Sequence, residues 1–474
     1  MQTVIDCMVK IIVTVFEIIF DVLKSFFSDE RKTEYDADFL PTGELLSRWN
    51  KGISICGRSL TLLDSFKNVL CLAQTGAGKS TCVGIPSCLK LIGRASVCVN
   101  DPTGEIAKNV SGAFQKAGYR VIIINYLKPG YGGFNPLHRV ASKSDIHQIS
   151  EQVIYSAMGR GKDIFWNASA CMCLNIFIEL ACSMPAENKN MHSVISLINL
   201  FSFNPSAIDA YILTYGDAAL VQEYKVLNSY DAKVIQNILA TVKAATKIFS
   251  DPNVAACTAY DTVSFEECRS VPTVIFFNNN VIGMQRYGVV TSIFFEQFFS
   301  HILNTPVTKS DLPVFFICDE ASSLYLSSLQ ITASNIRKAR AGILSIYQSY
   351  HQVVSQYGAE EAKAFRENCF TTVLLPGQPM DLAKEISLEL GQFQYEDEKG
   401  VKRMRPLLTP DEVHQLNECL VLSGNRRAVK LPLRPFYNNY ALNQLSKLPP
   451  YTPENTLPFD TLPALPKLTD NGKG

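Results

Sequence analysis

Residues 68–81 read NVLCLAQTGAGKST, an apolar run that leads into a glycine-bearing turn and then into Lys-Ser. The apolar run predicts a buried strand, and the residues that follow the turn predict a helix over 81–92. Glycines in such a turn let the backbone point its N–H groups at phosphate oxygens, beside the start of the helix. This stretch therefore predicts a strand, a phosphate-binding loop and a helix, in that order.

The loop predicts a site for ATP and Mg²⁺. Lys79 can reach the outer phosphates, and the Ser80 hydroxyl can hold the metal ion. Ala73 occupies the first glycine position of the G-x4-G-K-[ST] pattern. An ordinary glycine-rich turn is the alternative, but it does not account for Lys-Ser at a helix start. We expect seven successive residues to bind the nucleotide: Thr75, Gly76, Ala77, Gly78, Lys79, Ser80 and Thr81.

A second apolar run, PVFFICDE at 313–320, ends in two acids. Mg²⁺ needs an anionic partner beside the phosphate loop, and the attacking water needs a group that polarises it. We expect Asp319 to hold the metal with Ser80, and Glu320 to act on the water. The alternative is a strand that ends in a solvated loop. Together with Lys79, the two acids complete a nucleotide site.

Gln348 and Arg337 are further catalytic candidates. Gln348 follows the apolar run 342–347, at the strand end where ligands bind in open α/β sheets, and could sense the γ-phosphate or position water. A polar strand end is the alternative. Arg337 shares a short helix with Lys338 and Arg340, so a guanidinium could stabilise transition-state charge on a neighbouring subunit, with Arg337 the first choice and Arg340 the second. A solvated basic face is the alternative.

The rest of the chain alternates apolar runs with helical patterns. Helical periodicity with few strand signals extends from 144 to about 250, and the chain beyond 445 is rich in proline. Short strands joined by helices imply an α/β fold with a doubly wound, mostly parallel sheet, interrupted by an all-helical insert. The further predicted strands are 95–100, 120–126, 271–277, 314–318, 342–347, 371–375 and 419–422.

The net charge of the chain gives no overall attraction to nucleic acid, because 44 Lys plus Arg balance 44 Asp plus Glu among 474 residues. Any DNA contact must come from a local cationic lining. The 14 cysteines show no C-x2-C spacing, so we expect reduced, buried thiols. Candidate DNA-contacting cations form three groups. They are Arg337, Lys338 and Arg340; Lys402, Arg403 and Arg405, which we expect in a polar loop; and Arg426, Arg427 and Lys430.

The first 30 residues are apolar but interrupted by charges. Lys10, Glu17 and Lys24 recur every seven residues and make one polar stripe on a helix. A spanning helix needs about 20 residues with few charges. We therefore expect an amphipathic helix that lies on a membrane surface or docks on a partner, with packing on its own domain as the alternative.

Several motifs follow one another along the chain: TGAGKS at 75–80, DPTGE at 101–105, FNPL at 134–137, CDE at 318–320, RK at 337–338, QS at 348–349, YG at 357–358, EN at 367–368 and RPLLT at 405–409. In this order they resemble the type IV secretion coupling proteins of the TraG/TraD group, over about residues 52–437. The resemblance implies a membrane-recruited hexameric ATPase with a RecA-like motor domain and an all-helical, cargo-recognising domain. Thr103 stands where that group usually has lysine in D-P-K-G-E, and the group usually opens with two transmembrane helices.

We therefore expect a RecA-like P-loop NTPase that delivers relaxase-bound single-stranded DNA, or protein cargo, to a type IV secretion channel and powers conjugative transfer. Expected partners are the channel subunits, a membrane surface or membrane subunit, and copies of the chain in a homo-hexamer at the cytoplasmic face of the bacterial inner membrane. Two alternatives remain: a nucleotide-binding adaptor, or a related RecA-like DNA motor. The expected domains are 1–30 (amphipathic helix), 50–143 and 263–444 (motor), 144–262 (helical) and 445–474 (flexible tail).

Overall fold

The computed structural model describes residues 36–128, 130, 132–159, 163–279, 283–453 and 462–468, so the predicted amphipathic helix at 1–30 lies outside the described residues. The strands are β1 Ser54–Ile55, β2 Arg58–Ser59, β3 Val69–Leu72, β4 Ser96–Asn100, β5 Arg120–Asn125, β6 Thr273–Asn278, β7 Val314–Cys318, β8 Ala341–Tyr347, β9 Thr371–Leu374, β10 Gln392–Glu396, β11 Lys402–Pro406, β12 Cys419–Ser423 and β13 Arg426–Leu431.

The helices are α1 Thr42–Leu45, α2 Leu62–Ser65, α3 Ile85–Leu91, α4 Glu105–Lys116, α5 Lys143–Met158, α6 Ile164–Ser183, α7 Met191–Phe203, α8 Pro205–Tyr215, α9 Ala218–Asn228, α10 Ala232–Thr246, α11 Pro252–Ala259, α12 Met284–Asn304, α13 Leu329–Asn335, α14 Tyr350–Tyr357, α15 Ala359–Asn368, α16 Met380–Leu390, α17 Pro410–His414 and α18 Tyr440–Ser446.

Nine strands form the central sheet, in the order β13-β12-β9-β3-β8-β7-β4-β6-β5. The seven strands from β9 to β5 are parallel to one another. An antiparallel hairpin of β12 and β13 extends the sheet beyond β9. The carboxyl ends of the seven parallel strands therefore meet at one edge of the sheet, which we call the carboxyl edge.

The parallel strands are mostly apolar, as expected for a sheet that is covered on both faces. Alternate residues of β3 point to opposite faces. Leu70 and Leu72 belong to one buried cluster, and Val69 and Cys71 belong to the other. The thirteen cysteines in the described part of the chain are all free thiols, and all but Cys182 are buried.

Helices α5 to α11 follow one another over residues 143–259 and form a helical lobe on one face of the sheet. Ser142 and Asp145 form a capping box that fixes the start of α5. One hydrophobic cluster runs from the lobe, through Leu174 and Phe177, to the sheet residues Ile275 and Phe316. The lobe and the sheet thus share a core, and the domain limits proposed from the sequence stay a prediction.

Helix α6 is the one described helix that is long and apolar enough to cross a membrane by length and composition. Its apolar window is 67% buried inside the protein. It packs against α5, α7 and α10, and its polar Asn175 lies 2.8 Å from the Nδ1 atom of His147 on α5. These contacts are those of a core helix at the centre of the lobe.

Residues 402–406 are a strand and not the polar loop that the sequence suggested. β10 and β11 pair antiparallel as an exposed two-stranded ribbon. Arg403 pairs with Asp397 at 2.8 Å, and Arg405 pairs with Glu412 at 2.6 Å. With Lys430, which pairs with Glu418 at 2.9 Å, three of the candidate DNA-contacting cations are therefore already partnered by acids.

The described residues beyond α18, 447–453 and 462–468, contact the folded protein, and the flexible tail expected at 445–474 stays a prediction. The Tyr451 N–H donates to Ser111 Oγ on α4 at 3.0 Å. Farther along, Asn188 Nδ2 donates to the Ala464 carbonyl at 2.9 Å, and Tyr211 Oη donates to the Pro466 carbonyl at 2.8 Å. The described residues thus bond first to α4 and then to the helical lobe.

Candidate nucleotide-binding site

The phosphate-loop residues lie between β3 and a helix that opens with a π-helical turn at Ser80–Gly84 and continues into α3. Gly76 and Gly78 both have φ of 85°, which other residues rarely adopt. A Cβ atom at Gly78 would lie 3.3 Å from both Thr81 Oγ1 and Cys82 Sγ. The first N–H groups of a helix have no intrahelical partner, so this helix start suits an anion. The loop fits a phosphate group.

Lys79 and Glu320 meet at the carboxyl edge. Lys79 Nζ lies 2.6 Å from Glu320 Oε2 and 3.3 Å from the Asp319 carbonyl oxygen. Gln348 Nε2 donates to the same Oε2 atom at 3.2 Å, and Ser322 Oγ donates to Oε1 at 2.7 Å. Three side chains therefore hold the Glu320 carboxylate, and a phosphate group that binds Lys79 must compete with it.

Ser80 and Asp319 offer oxygen ligands beside this pair. Ser80 Oγ lies 3.3 Å from Asp319 Oδ2 and 3.4 Å from Oδ1. Burial raises the pKa of Asp319 to about 7; the Lys79 ammonium opposes this and Asp101 adds to it. Burial also raises the pKa of Asp101 to about 6. Mg²⁺ prefers such hard oxygen ligands, and its charge would offset the cost of burying the carboxylate.

Strand order places the predicted residues together. β8 lies between β3, which carries the phosphate loop, and β7, which carries the acids. Gln348 directly follows β8, and its Nε2 donates to Glu320 Oε2, the same atom that Lys79 contacts. Five of the predicted residues thus converge on one edge of the sheet: Lys79, Ser80, Asp319, Glu320 and Gln348.

Asn100 is a site residue that sequence reasoning missed. It ends β4, the neighbour of β7, and its Nδ2 donates to the Glu320 carbonyl at 3.1 Å and to Ser323 Oγ at 3.0 Å. It is 1% exposed. The rule that located Gln348, a polar residue at the carboxyl end of an apolar strand, would also have found Asn100.

Arg337 does not join these residues within one chain. It lies on a short 3₁₀ turn, Ile336–Ala339, which precedes β8 and therefore stands at the amino edge of the sheet. Arg337 and Lys338 are exposed. Arg340 is used structurally, because its Nη1 donates to two carbonyls of residues 308 and 309 at 2.7 Å. Arg340 is therefore a weaker candidate than Arg337 for a guanidinium that acts on a neighbouring subunit.

Comparison with known proteins decides the family. The profile of the family described as Type IV secretory system Conjugative DNA transfer matches residues 30–452. The chain belongs to this family. The resemblance to type IV coupling proteins that the sequence motifs indicated is thereby confirmed.

Curated members of the conjugative transfer family are distant relatives of the chain. The probable conjugal transfer protein TraG of Sinorhizobium fredii is 25% identical over 386 residues, covering 74% of this chain and 59% of the relative. The coupling protein VirD4 of Bartonella quintana is 22% identical over 368 residues, covering 73% of this chain and 56% of the relative. The chain thus spans less than two thirds of the length of these relatives.

Solved structures of the plasmid coupling protein TrwB share the fold. TrwB in complex with ADP and Mg²⁺ matches with a TM-score of 0.69 at 17% identity, over 85% of this chain and 94% of TrwB. TrwB with a non-hydrolysable ATP analogue matches with a TM-score of 0.68 at 18% identity, over 86% of this chain and 95% of TrwB. The predicted fold class, a RecA-like P-loop NTPase with a helical domain, is confirmed.

Proposed function

We propose that the chain is an ATP-hydrolysing coupling protein that delivers relaxase-bound single-stranded DNA, or protein cargo, to a type IV secretion channel and powers conjugative transfer. One observation carries this proposal: Lys79, Ser80, Asp319, Glu320 and Gln348 converge at the carboxyl edge behind a loop that fits a phosphate. Family membership and the TrwB fold support it. Nucleotide binding alone, as in an adaptor, does not require a buried carboxylate such as Glu320 beside the phosphate-binding Lys79.

Each side chain has a role in this proposal. The ammonium of Lys79 binds the outer phosphates of ATP, and Ser80 and Asp319 hold Mg²⁺. When bound, the metal ion neutralises charge on the phosphate oxygens. Glu320 polarises the attacking water, and the Gln348 amide, which already donates to Glu320 Oε2, orients that carboxylate or the water.

Assembly and partners belong to the same proposal. Arg337 stands at the amino edge of its own sheet, so its action on a phosphate requires a neighbouring copy, as in the homo-hexamer we propose. Arg337 and Lys338 remain exposed cations for DNA or phosphate. We place the protein at the cytoplasmic face of the bacterial inner membrane as a peripheral component, beside the channel subunits.

A steady-state phosphate-release assay with and without single-stranded DNA, run beside a conjugation assay, tests the proposal. Lys79→Ala should abolish both turnover and transfer, because the phosphates lose the cation that binds them. Lys108→Ala is the matched control, since Lys108 is exposed on α4 and lies outside the predicted phosphate loop.

Three outcomes separate the readings. Loss of turnover and transfer in Lys79→Ala alone supports the motor. Normal transfer in that variant refutes it. Nucleotide binding by the wild type with no turnover, with or without DNA, favours the adaptor.

A further inference from the structure

Residues 320–328, which we call the acid loop, are held by side chains from separate parts of the fold. Gln356 on α14 donates through Nε2 to the Leu324 carbonyl. Gln152 on α5 donates through Nε2 to the next carbonyl, that of Tyr325. Two successive carbonyls of the loop are therefore bound by amides from two elements that are far apart in the chain.

Helix α14 connects the first of these contacts to the nucleotide site. Gln348, Gln352 and Gln356 are spaced by four residues, so they lie along one face of the helix and its entry. The Gln348 N–H donates to Gln352 Oε1 at 2.9 Å, while the Gln348 side chain holds Glu320. At the other end, Tyr357 Oη accepts a hydrogen bond from the acid loop at 3.1 Å. The helix thus spans from the carboxylate to the middle of the loop.

The second contact belongs to the helical lobe. Gln152 lies on α5, the first helix of the lobe, and is 0% exposed. Its amide also donates to Ser156 Oγ on the same helix at 3.0 Å. Tyr325, whose carbonyl makes this contact, follows Glu320 by five positions. Beyond it, the Ser328 N–H donates to Glu296 Oε1 on α12 at 2.9 Å, which fixes the far end of the loop.

The side-chain amides of Gln152 and Gln356 donate through nitrogen, but their oxygens accept no hydrogen bond from the described part of the chain. Within the described residues, Gln152 Oε1 and Gln356 Oε1 are buried without a hydrogen-bond partner. Most buried polar side-chain atoms in native proteins are paired, and an unpaired one calls for a specific explanation. These two oxygens are therefore free to accept a backbone N–H if the loop changes position.

We propose that Gln152 and Gln356 are positioning residues that transmit the nucleotide state of the site to the helical lobe through the acid loop. Phosphate binding draws Lys79 away from Glu320, and the released carboxylate shifts the loop that both amides hold. Gln356 ties the shift to α14, and Gln152 conveys it to α5. This inference rests on the proposed nucleotide site.

Hydrogen exchange of the α5 amides, with and without a saturating non-hydrolysable ATP analogue and Mg²⁺, tests the link without requiring turnover. A fluorescent ATP analogue reports nucleotide affinity in the same samples. The variants are Gln152→Leu in the lobe and Gln356→Leu in the motor, so that the link is cut from either side. Gln236→Leu, at an exposed position on α10, is the matched control.

We expect nucleotide to change exchange in α5 of the wild type and of Gln236→Leu by about fivefold or more. In Gln152→Leu and Gln356→Leu this change should disappear while nucleotide affinity stays close to that of the wild type. The same nucleotide-dependent change in both variants overturns the inference, as does no change in wild-type protein that has bound nucleotide. Wild-type protein that binds no nucleotide overturns the proposed function itself, and this inference with it.

Discussion

Glu320→Gln should tighten ATP binding while it slows hydrolysis. In the protein, Glu320 Oε2 and Lys79 Nζ are 2.6 Å apart, and their side chains are only 9% and 20% exposed. A hydrogen bond to a charged group contributes about 1.5–3 kcal/mol. A phosphate must give up that contact to bind Lys79, so neutralising the carboxylate should tighten binding by about 10–100-fold.

Hydrolysis should fall by about 10²–10⁴-fold in the same variant, because an amide cannot accept a proton from the attacking water. Isothermal titration with a non-hydrolysable ATP analogue measures the affinity, and phosphate release measures turnover. Glu418→Gln is the matched control, since Glu418 forms a similar carboxylate–ammonium pair with Lys430 at 2.9 Å but is not one of the predicted site residues. Affinity that is unchanged or weaker in a stably folded Glu320→Gln protein would refute the competition between carboxylate and phosphate.

Three further predictions follow from single positions. In Gly112→Ala the new methyl would lie 2.0 Å from the Pro449 carbonyl oxygen, so the chain around Pro449 should move away from α4. Limited proteolysis should then cut this part of the chain faster than in the wild type. Cleavage at the wild-type rate would contradict the prediction. Burial raises the pKa of Glu296 above its usual value, so its contribution to stability is complete below about pH 4.3 and is lost as the pH rises through the folded pKa. The melting temperature of Glu296→Gln minus that of the wild type should therefore increase from pH 5 to pH 8, and a constant difference would count against it. Arg337→Ala should reduce turnover of the assembled protein but leave nucleotide affinity intact, whereas Lys338→Ala should change turnover little; equal effects of the two variants would argue for a shared surface role.

The local parts of the site could be predicted from the sequence because each is a short pattern with one physical meaning. An apolar run followed by Lys-Ser, by Asp-Glu or by Gln marks the carboxyl end of a strand. Parallel strands then bring those ends to one edge. For this reason Lys79, Glu320 and Gln348 could be predicted as neighbours although 241 positions separate Lys79 from Glu320.

Long-range features could not be obtained in this way. The insertion of β8 between β3 and β7 depends on pairing between distant strands, which no local pattern encodes. The amino-edge position of Arg337 was available in principle, since the residue precedes the strand that Gln348 follows. The ribbon of β10 and β11 was missed because three of the five residues of β11 are cations and both strands are mostly exposed, unlike the apolar strands of the central sheet.

The proposed link through the acid loop left one weak sign in the sequence, and it concerns α14 only. The spacing of four between Gln348, Gln352 and Gln356 marks a polar helix face. Nothing near Gln152 indicates that its amide reaches a loop 173 positions later. Contacts between separately encoded elements depend on how those elements dock, and this docking becomes visible only in the folded chain.

The position of β6 has a consequence for how the protein is made. β6 pairs with both β4 and β5, yet about 150 residues, most of them in the helical lobe, are synthesised between β5 and β6, which takes roughly 7–30 s at ribosomal rates. During that interval the strand that both β4 and β5 pair with has not been made. The sheet order therefore means that β4 and β5 can be joined only after the whole lobe has been synthesised.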